Sequence, residues 1–173
     1  MESTSEKILV LDFGSQYSQL IARRVRETGV YSEIVDSAIS VDEIRSWNPQ
    51  GLILSGGPAS VHDTDAPVCA PDIFELGIPV LAICYGLQWM MSCLDGKVKE
   101  SGSREYGRAQ LTVTSDDPLF AEIPRESQAW VSHADEVIRP APGFGVIAES
   151  EAVPNTAVSN PDRKLWGVQF HPE

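Results

Sequence analysis

Three short stretches of this chain carry groups that could do chemistry together. The first is Pro79–Gln88, which reads Pro-Val-Leu-Ala-Ile-Cys-Tyr-Gly-Leu-Gln. Val80–Ile83 is an unbroken apolar run, as expected of a strand buried on both faces of a parallel sheet. Cys84 follows at once, and Leu87, Trp89, Met90 and Met91 continue as a mostly apolar helical stretch. A strand that turns sharply into a helix presents a nucleophile at the carboxyl end of a sheet, and small residues on either side let the backbone turn. The helix then aims its free N–H groups and partial positive charge at the sulfur, which favours thiolate. A lone cysteine in an apolar run is more often an ordinary core residue. The other two stretches change that balance.

Ser55-Gly56-Gly57-Pro58 is a glycine-rich loop after an apolar run. It lacks the Lys-Ser/Thr of a phosphate-binding loop and the longer dinucleotide fingerprint, but a Gly-Gly turn can aim a backbone N–H at an oxyanion. His171-Pro172-Glu173 is the third stretch. Proline holds it extended, so a carboxylate can accept from one imidazole nitrogen and leave the other facing a thiol. Alone, His-Pro-Glu is an ordinary surface turn. Together the three stretches supply a nucleophile, a general base, its orienter and an oxyanion loop.

The elements that must position these groups alternate through the first half. Lys7–Phe13 reads as a buried strand broken by Gly14-Ser15, with Ser15 expected to cap a helix carrying Tyr17, Leu20, Ile21 and Val25 and ending at Gly29. Tyr31–Val35 is a second strand, Val41–Trp47 a helix behind a Ser40 cap, Gly51–Leu54 a third strand and Pro71–Leu76 a short helix. This alternation predicts an α/β fold, a doubly wound and mostly parallel sheet with helices on both faces. Beyond Gly96 come short strand candidates at Lys97–Lys99, Gly107–Thr114, Ala129–Ser132, Val137–Arg139, Gly145–Glu149 and Ala157–Ser159, read as flanking antiparallel ribbons. Leu165–Phe170 returns as a buried strand.

Composition narrows the function classes. The 173 residues suit one domain, and 42% apolar content is that of a globular protein. Twenty-five acidic against thirteen basic residues, a formal charge of −12, argue against a nucleic-acid or anionic-membrane surface. The dense basic cluster Arg23, Arg24 and Arg26 falls on the solvent side of its helix. Three cysteines, with no signal peptide or membrane-length apolar run, point to a reduced, cytoplasmic setting.

The cysteine turn followed by Gln88, and the later His-Pro-Glu, resemble the class I glutamine amidotransferases, whose hallmark is a Gly-x-Cys-x-Gly-x-Gln elbow. Position 82 is Ala where that family usually has Gly, and Ala134 likewise replaces a common Gly. Within the family, Leu11–Glu27, Ile53–Val61, Arg104-Glu105-Tyr106-Gly107, Trp130–Asp135 and Trp166–Glu173 are similar to the amidotransferase domains of GMP synthetases. The resemblance runs from about Lys7 to the last residue and implies a flavodoxin-like fold. It implies hydrolysis of L-glutamine to glutamate and ammonia, with Cys84 as nucleophile, His171 as proton shuttle and Glu173 as its orienter. The backbone N–H groups of Gly57 and Tyr85 would form the oxyanion hole. Gln88 and the Ser132-His133-Ala134-Asp135 turn, hence Ser132, His133 and Asp135, would hold the substrate. No metal or cofactor is implied for this domain; ATP and magnesium belong to a partner ATP-pyrophosphatase (synthetase) domain that turns XMP into GMP. Residues 1–173 would then be an amidotransferase domain cut from a longer synthetase. Two other readings stand beside this one: a γ-glutamyl hydrolase-like Cys-His-Glu enzyme of the same fold, and a silent glutamine-binding regulatory module.

Overall fold

A computed structural model describes residues 6–173, without the side chains of 101–104. Its centre is a nine-stranded sheet in the order β2-β1-β3-β4-β9-β8-β7-β5-β6. The parallel half contains β1 (Lys7–Asp12), β2 (Tyr31–Asp36), β3 (Gly51–Leu54), β4 (Val80–Ile83) and β9 (Leu165–Val168). The antiparallel half contains β8 (Ala157–Asn160), β7 (Gly145–Ser150), β5 (Lys97–Val113) and β6 (Glu126–Arg139).

The inner strands are apolar on both faces because both faces are covered. Leu9 and Leu11 pack with Leu52, Leu54, Ala82 and Leu87, while Val10 points the other way, to Ile21, Ala22, Ile83 and Val168. Helix α1 (Ser18–Glu27) buries Ile21 and Ala22 and leaves Arg23, Arg24 and Arg26 in solvent, as its spacing predicts. Helix α2 (Val41–Trp47) starts in a capping box, with Ser40 Oγ accepting from the Glu43 N–H and the Glu43 carboxylate accepting from the Ser40 N–H. Helix α3 (Tyr85–Cys93) begins directly at the end of β4.

Four details differ from expectation. Ser15 does not cap α1: its Oγ accepts from the Tyr17 N–H one step too early, and Asp12 Oδ1 shapes the loop by accepting from Gly14 N–H and Ser18 Oγ. Pro71–Glu75 forms a 3₁₀ segment rather than a helix through Leu76. The antiparallel strands extend the central sheet instead of standing beside it, because β9 pairs with β4 on one edge and with β8 on the other. Finally, Ser132-His133-Ala134-Asp135 is not a turn. It runs inside β6, where Val131, His133, Asp135 and Val137 alternate inward with strand periodicity. Among the described residues, no helix is long and apolar enough to cross a membrane.

Candidate active site

Strands β1, β3, β4 and β9 are parallel neighbours, so their carboxyl ends emerge side by side along one edge. The Gly14–Tyr17 loop, the Gly57–Ser60 loop, Cys84 and His171 therefore surround one cavity of about 640 Å³, which β6 closes with Ser132, His133, Ala134 and Asp135.

Cys84 sits at the elbow with φ +49°, in the region L-residues seldom occupy. Its N–H is tied to Val168 O at 2.8 Å, and the next turn is anchored by Gly86 N–H on Ser55 O at 3.1 Å. Gly86 cannot be replaced cheaply, since a Cβ there would lie 2.7 Å from Leu54 O and 2.8 Å from Leu54 Cβ. Backbone strain fixed by the surrounding sheet is a mark of functional sites.

His171 reaches the same place from the end of β9. Its backbone N–H donates to Trp130 O at 2.8 Å, and its Nδ1 lies 2.9 Å from Glu173 Oε1. Nδ1 is thus engaged by the carboxylate, which leaves Nε2 to interact with Cys84. A methyl group on Gly56 would fall 3.3 Å from His171 Cε1 and 3.4 Å from Cys84 Cβ, so the loop backbone lies against both. Burial pulls the imidazole pKa down, but hydrogen bonds to Cys84 and Glu173 and their negative charge outweigh it, and the ring is pushed up to about 10. Both partners favour the protonated ring. Tyr17 packs edge-on over it at 5.4 Å between ring centroids.

The other two thiols have a different environment. Cys69 accepts from Trp89 Nε1 at 3.0 Å, and burial still raises its pKa to about 12. Burial likewise raises Cys93 to about 11.

The Gly57 loop is held by Ser55, whose Oγ accepts from Phe13 N–H at 2.9 Å and donates to Gly56 O at 2.8 Å. Gly57 packs so closely on the Phe13 carbonyl that a Cβ would collide with it. Among the described residues its N–H meets no acceptor, and the Tyr85 N–H, first of α3, has none within the helix. Gln88 is buried, and both amide hydrogens are committed, one to Asp135 O at 2.9 Å and one to Gln169 Oε1 at 3.3 Å. Its Oε1 is what remains for a ligand. Asp135 is 3% exposed: Oδ2 accepts from Ser60 Oγ at 2.6 Å, and Oδ1 has no partner. An uncompensated buried carboxylate oxygen beside a cavity suits a cationic ligand group. His133 Nδ1 approaches Asp135 O at 3.0 Å. Glu105 Oε2 stands 3.0 Å from His133 Nε2, within ion-pair range but not aligned for a hydrogen bond.

All nine side chains or backbone groups singled out from sequence lie in or beside this one cavity. Three others enter with them: Ser60 on Asp135, Glu105 on His133, and Gln169, whose Nε2 faces Cys84 Sγ at 3.6 Å. Gln169 had a legible signal, being a polar residue at the end of a buried strand and two before His171, hence on its face. Among the described residues, no cluster of three or more His, Cys, Asp and Glu is arranged to hold a metal ion.

Residues 9–173 match the family described as glutamine amidotransferase class-I. The chain belongs to that family. It is 52% identical over 168 residues, 97% of its length, to the protein named GMP synthase [glutamine-hydrolyzing] of Caldanaerobacter subterraneus subsp. tengcongensis, and covers 33% of that protein. It is also 52% identical over its full length to the protein of that name from Staphylococcus aureus strain Newman, covering 34% of it. The chain thus spans about a third of the length of these curated relatives. Among solved structures, it resembles a candidate GMP synthase component from Thermoplasma acidophilum with a TM-score of 0.85 and 27% identity, covering 99% of this chain and 86% of the other. A glutamine amidotransferase from Thermotoga maritima shares the fold, with a TM-score of 0.73 and 21% identity over 96% of this chain and 76% of its own.

Proposed function

We propose that this chain hydrolyses L-glutamine through a cysteine thioester and passes the ammonia to a synthetase domain that converts XMP to GMP. One observation carries the reading: Cys84, His171 and Glu173 meet at the edge of a cavity that also holds Gly57 and an unpartnered Asp135 oxygen.

The Cys84 sulfur attacks the side-chain amide carbon of glutamine, and the carbonyl π pair moves to oxygen. The N–H groups of Gly57 and Tyr85 stabilise that oxyanion. The His171 imidazolium gives its Nε2 proton to the amide nitrogen, the C–N bond breaks, and ammonia leaves a γ-glutamyl thioester on Cys84. The neutral imidazole then takes a proton from water, hydroxide oxygen adds to the thioester carbonyl, and the C–S bond breaks to release glutamate. Glu173 fixes the ring throughout. Asp135 Oδ1 meets the substrate α-ammonium, Gln88 Oε1 accepts from its N–H donors, and Ser132 and His133 complete the wall.

The GMP-forming half of the proposal draws on the names of the 52%-identical relatives and on their additional length. The domain itself needs no cofactor for these steps; ATP and magnesium belong to the synthetase part. The test is to supply L-glutamine to the purified chain and measure glutamate and ammonia, which should appear one to one and vanish with Cys84→Ala. Adding the synthetase domain, XMP and ATP should yield GMP with glutamine as nitrogen source. Ammonia without GMP would confine the proposal to its glutaminase half.

A further inference from the structure

Gln169 follows β9 and is 1% exposed. Its backbone N–H is spent on Thr156 O at 2.7 Å, so its side chain is held at a fixed height above the sheet. The amide orientation is dictated by a chain of partners. Asp135 O is a carbonyl and can only accept, so the Gln88 atom 2.9 Å away is its nitrogen. The second hydrogen on that nitrogen points to Gln169, whose facing atom must accept and is therefore Oε1, at 3.3 Å. That leaves the Gln169 NH₂ turned to Cys84 Sγ at 3.6 Å, a hydrogen-bond separation for the larger sulfur atom. His133 holds the start of the chain in place, since its Nδ1 lies 3.0 Å from the same Asp135 carbonyl.

A neutral amide gains little by donating to a thiol and more by donating to a thiolate, because bonds to charged acceptors are the stronger ones. We propose that Gln169 is a further catalytic residue: its side-chain N–H stabilises the Cys84 thiolate, and Gln88 on the cavity wall keeps that donor aimed. The sulfur then faces two donors of different kinds, which offset the Ser132 carbonyl oxygen 3.6 Å away, an acceptor that favours the thiol. His171 surrenders its proton during the reaction, whereas the Gln169 amide does not. The Gln169 donor therefore stays at the sulfur in every protonation state of His171, both before attack and as the C–S bond breaks. The inference rests on the reading of Cys84 as nucleophile.

The test is the pH profile of Cys84 alkylation by iodoacetamide, which needs no substrate. Gln169→Met keeps the volume and removes the donor. Its alkylation midpoint should rise by about one pH unit, with the rate below the midpoint falling roughly tenfold, as expected for losing one hydrogen bond to a charged group. Gln169→Glu keeps the shape but places a carboxylate at the sulfur, so it should fall further than Gln169→Met. A packing role alone would lower thermal stability in both variants and leave the alkylation midpoint unmoved. An unchanged midpoint in Gln169→Met, or Gln169→Glu no slower than Gln169→Met, overturns the inference. If neither variant folds, NMR on the unsubstituted chain decides. The Gln169 side-chain amide protons should titrate with the Cys84 alkylation midpoint and lose that titration in Cys84→Ala; resonances indifferent to both overturn it. A Cys84 that does not alkylate in the unsubstituted chain sinks the nucleophile reading and this inference with it, whereas a reactive Cys84 with an unmoved midpoint sinks the inference alone.

Discussion

Gly57→Ala isolates the oxyanion donor from the rest of the site. The added Cβ would come well inside 3.0 Å of Phe13 O, a backbone atom that β1 and Ser55 Oγ hold in place. The Gly57 loop must therefore move, by on the order of 1 Å to restore ordinary contact, and a displacement of that size costs about 10²-fold when it disturbs reacting geometry. An N–H···O bond near 2.9 Å lengthened by about that much is lost. Loss of one oxyanion donor lowers kcat by roughly 10²–10³, or about 2.7–4 kcal/mol of barrier. Steady-state glutaminase kinetics should show that fall in kcat with KM nearly unchanged. Cys84 alkylation should stay within a few-fold of the unsubstituted chain, because sulfur, His171 and Glu173 are untouched. A variant that keeps more than about a tenth of kcat, or one that loses alkylation along with kcat, would refute the assignment of Gly57.

Four further outcomes follow from the same geometry. Iodoacetamide should label Cys84 well before Cys69 or Cys93, whose thiols burial holds near 12 and 11; peptide mass spectrometry reads the order, and earlier labelling of either would displace Cys84 as nucleophile. The His171 ring should titrate near 10 by NMR and drop in Cys84→Ala, which removes the strongest of the partners that raise it; since the raised group is charged below that value, acylation should slow as pH climbs through about 10, and a ring titrating near 6.5 in both chains contradicts this. His171→Ala should cost roughly 10²–10⁴ in kcat and Glu173→Gln much less, while His133→Ala should act mainly on KM; reversed phenotypes for the two histidines would exchange their roles. Adding the synthetase domain with XMP and ATP should raise kcat more than it lowers KM, and an isolated chain already at full rate would contradict that dependence.

Local pattern and tertiary partnership were unequally visible in the sequence. The apolar runs of β1, β3, β4 and β9 follow from burial on both faces, so their strand character and the Cys84 elbow were legible without partners. Strands β5 and β6 were not. Gly and Ser near residue 102 read as a turn between two strand candidates, yet β5 continues and absorbs the irregularity as a register shift between Glu100 and Glu105. Ser132–Asp135 looked like a turn for the same reason, its polar residues resembling loop chemistry. Their alternation is that of a strand whose inward polar groups, His133 and Asp135, are matched by Glu105, Gln88 and Ser60. Such matching joins residues far apart in the chain and leaves no local periodic trace. Gln169 was legible as a polar residue closing a buried strand, but its partners were not, since Gln88 and Cys84 lie 81 and 85 positions away.

The central claim is that glutamine turns over on Cys84, and active-site labelling addresses it most directly. The chain is treated with a glutamine-mimicking electrophile, with and without excess L-glutamine, and analysed by intact and peptide mass spectrometry alongside residual glutaminase activity. The account predicts a single adduct on Cys84, prevented by glutamine, with activity lost in proportion to labelling. Activity that persists in fully labelled protein, or that disappears with Cys84 unmodified, would contradict it.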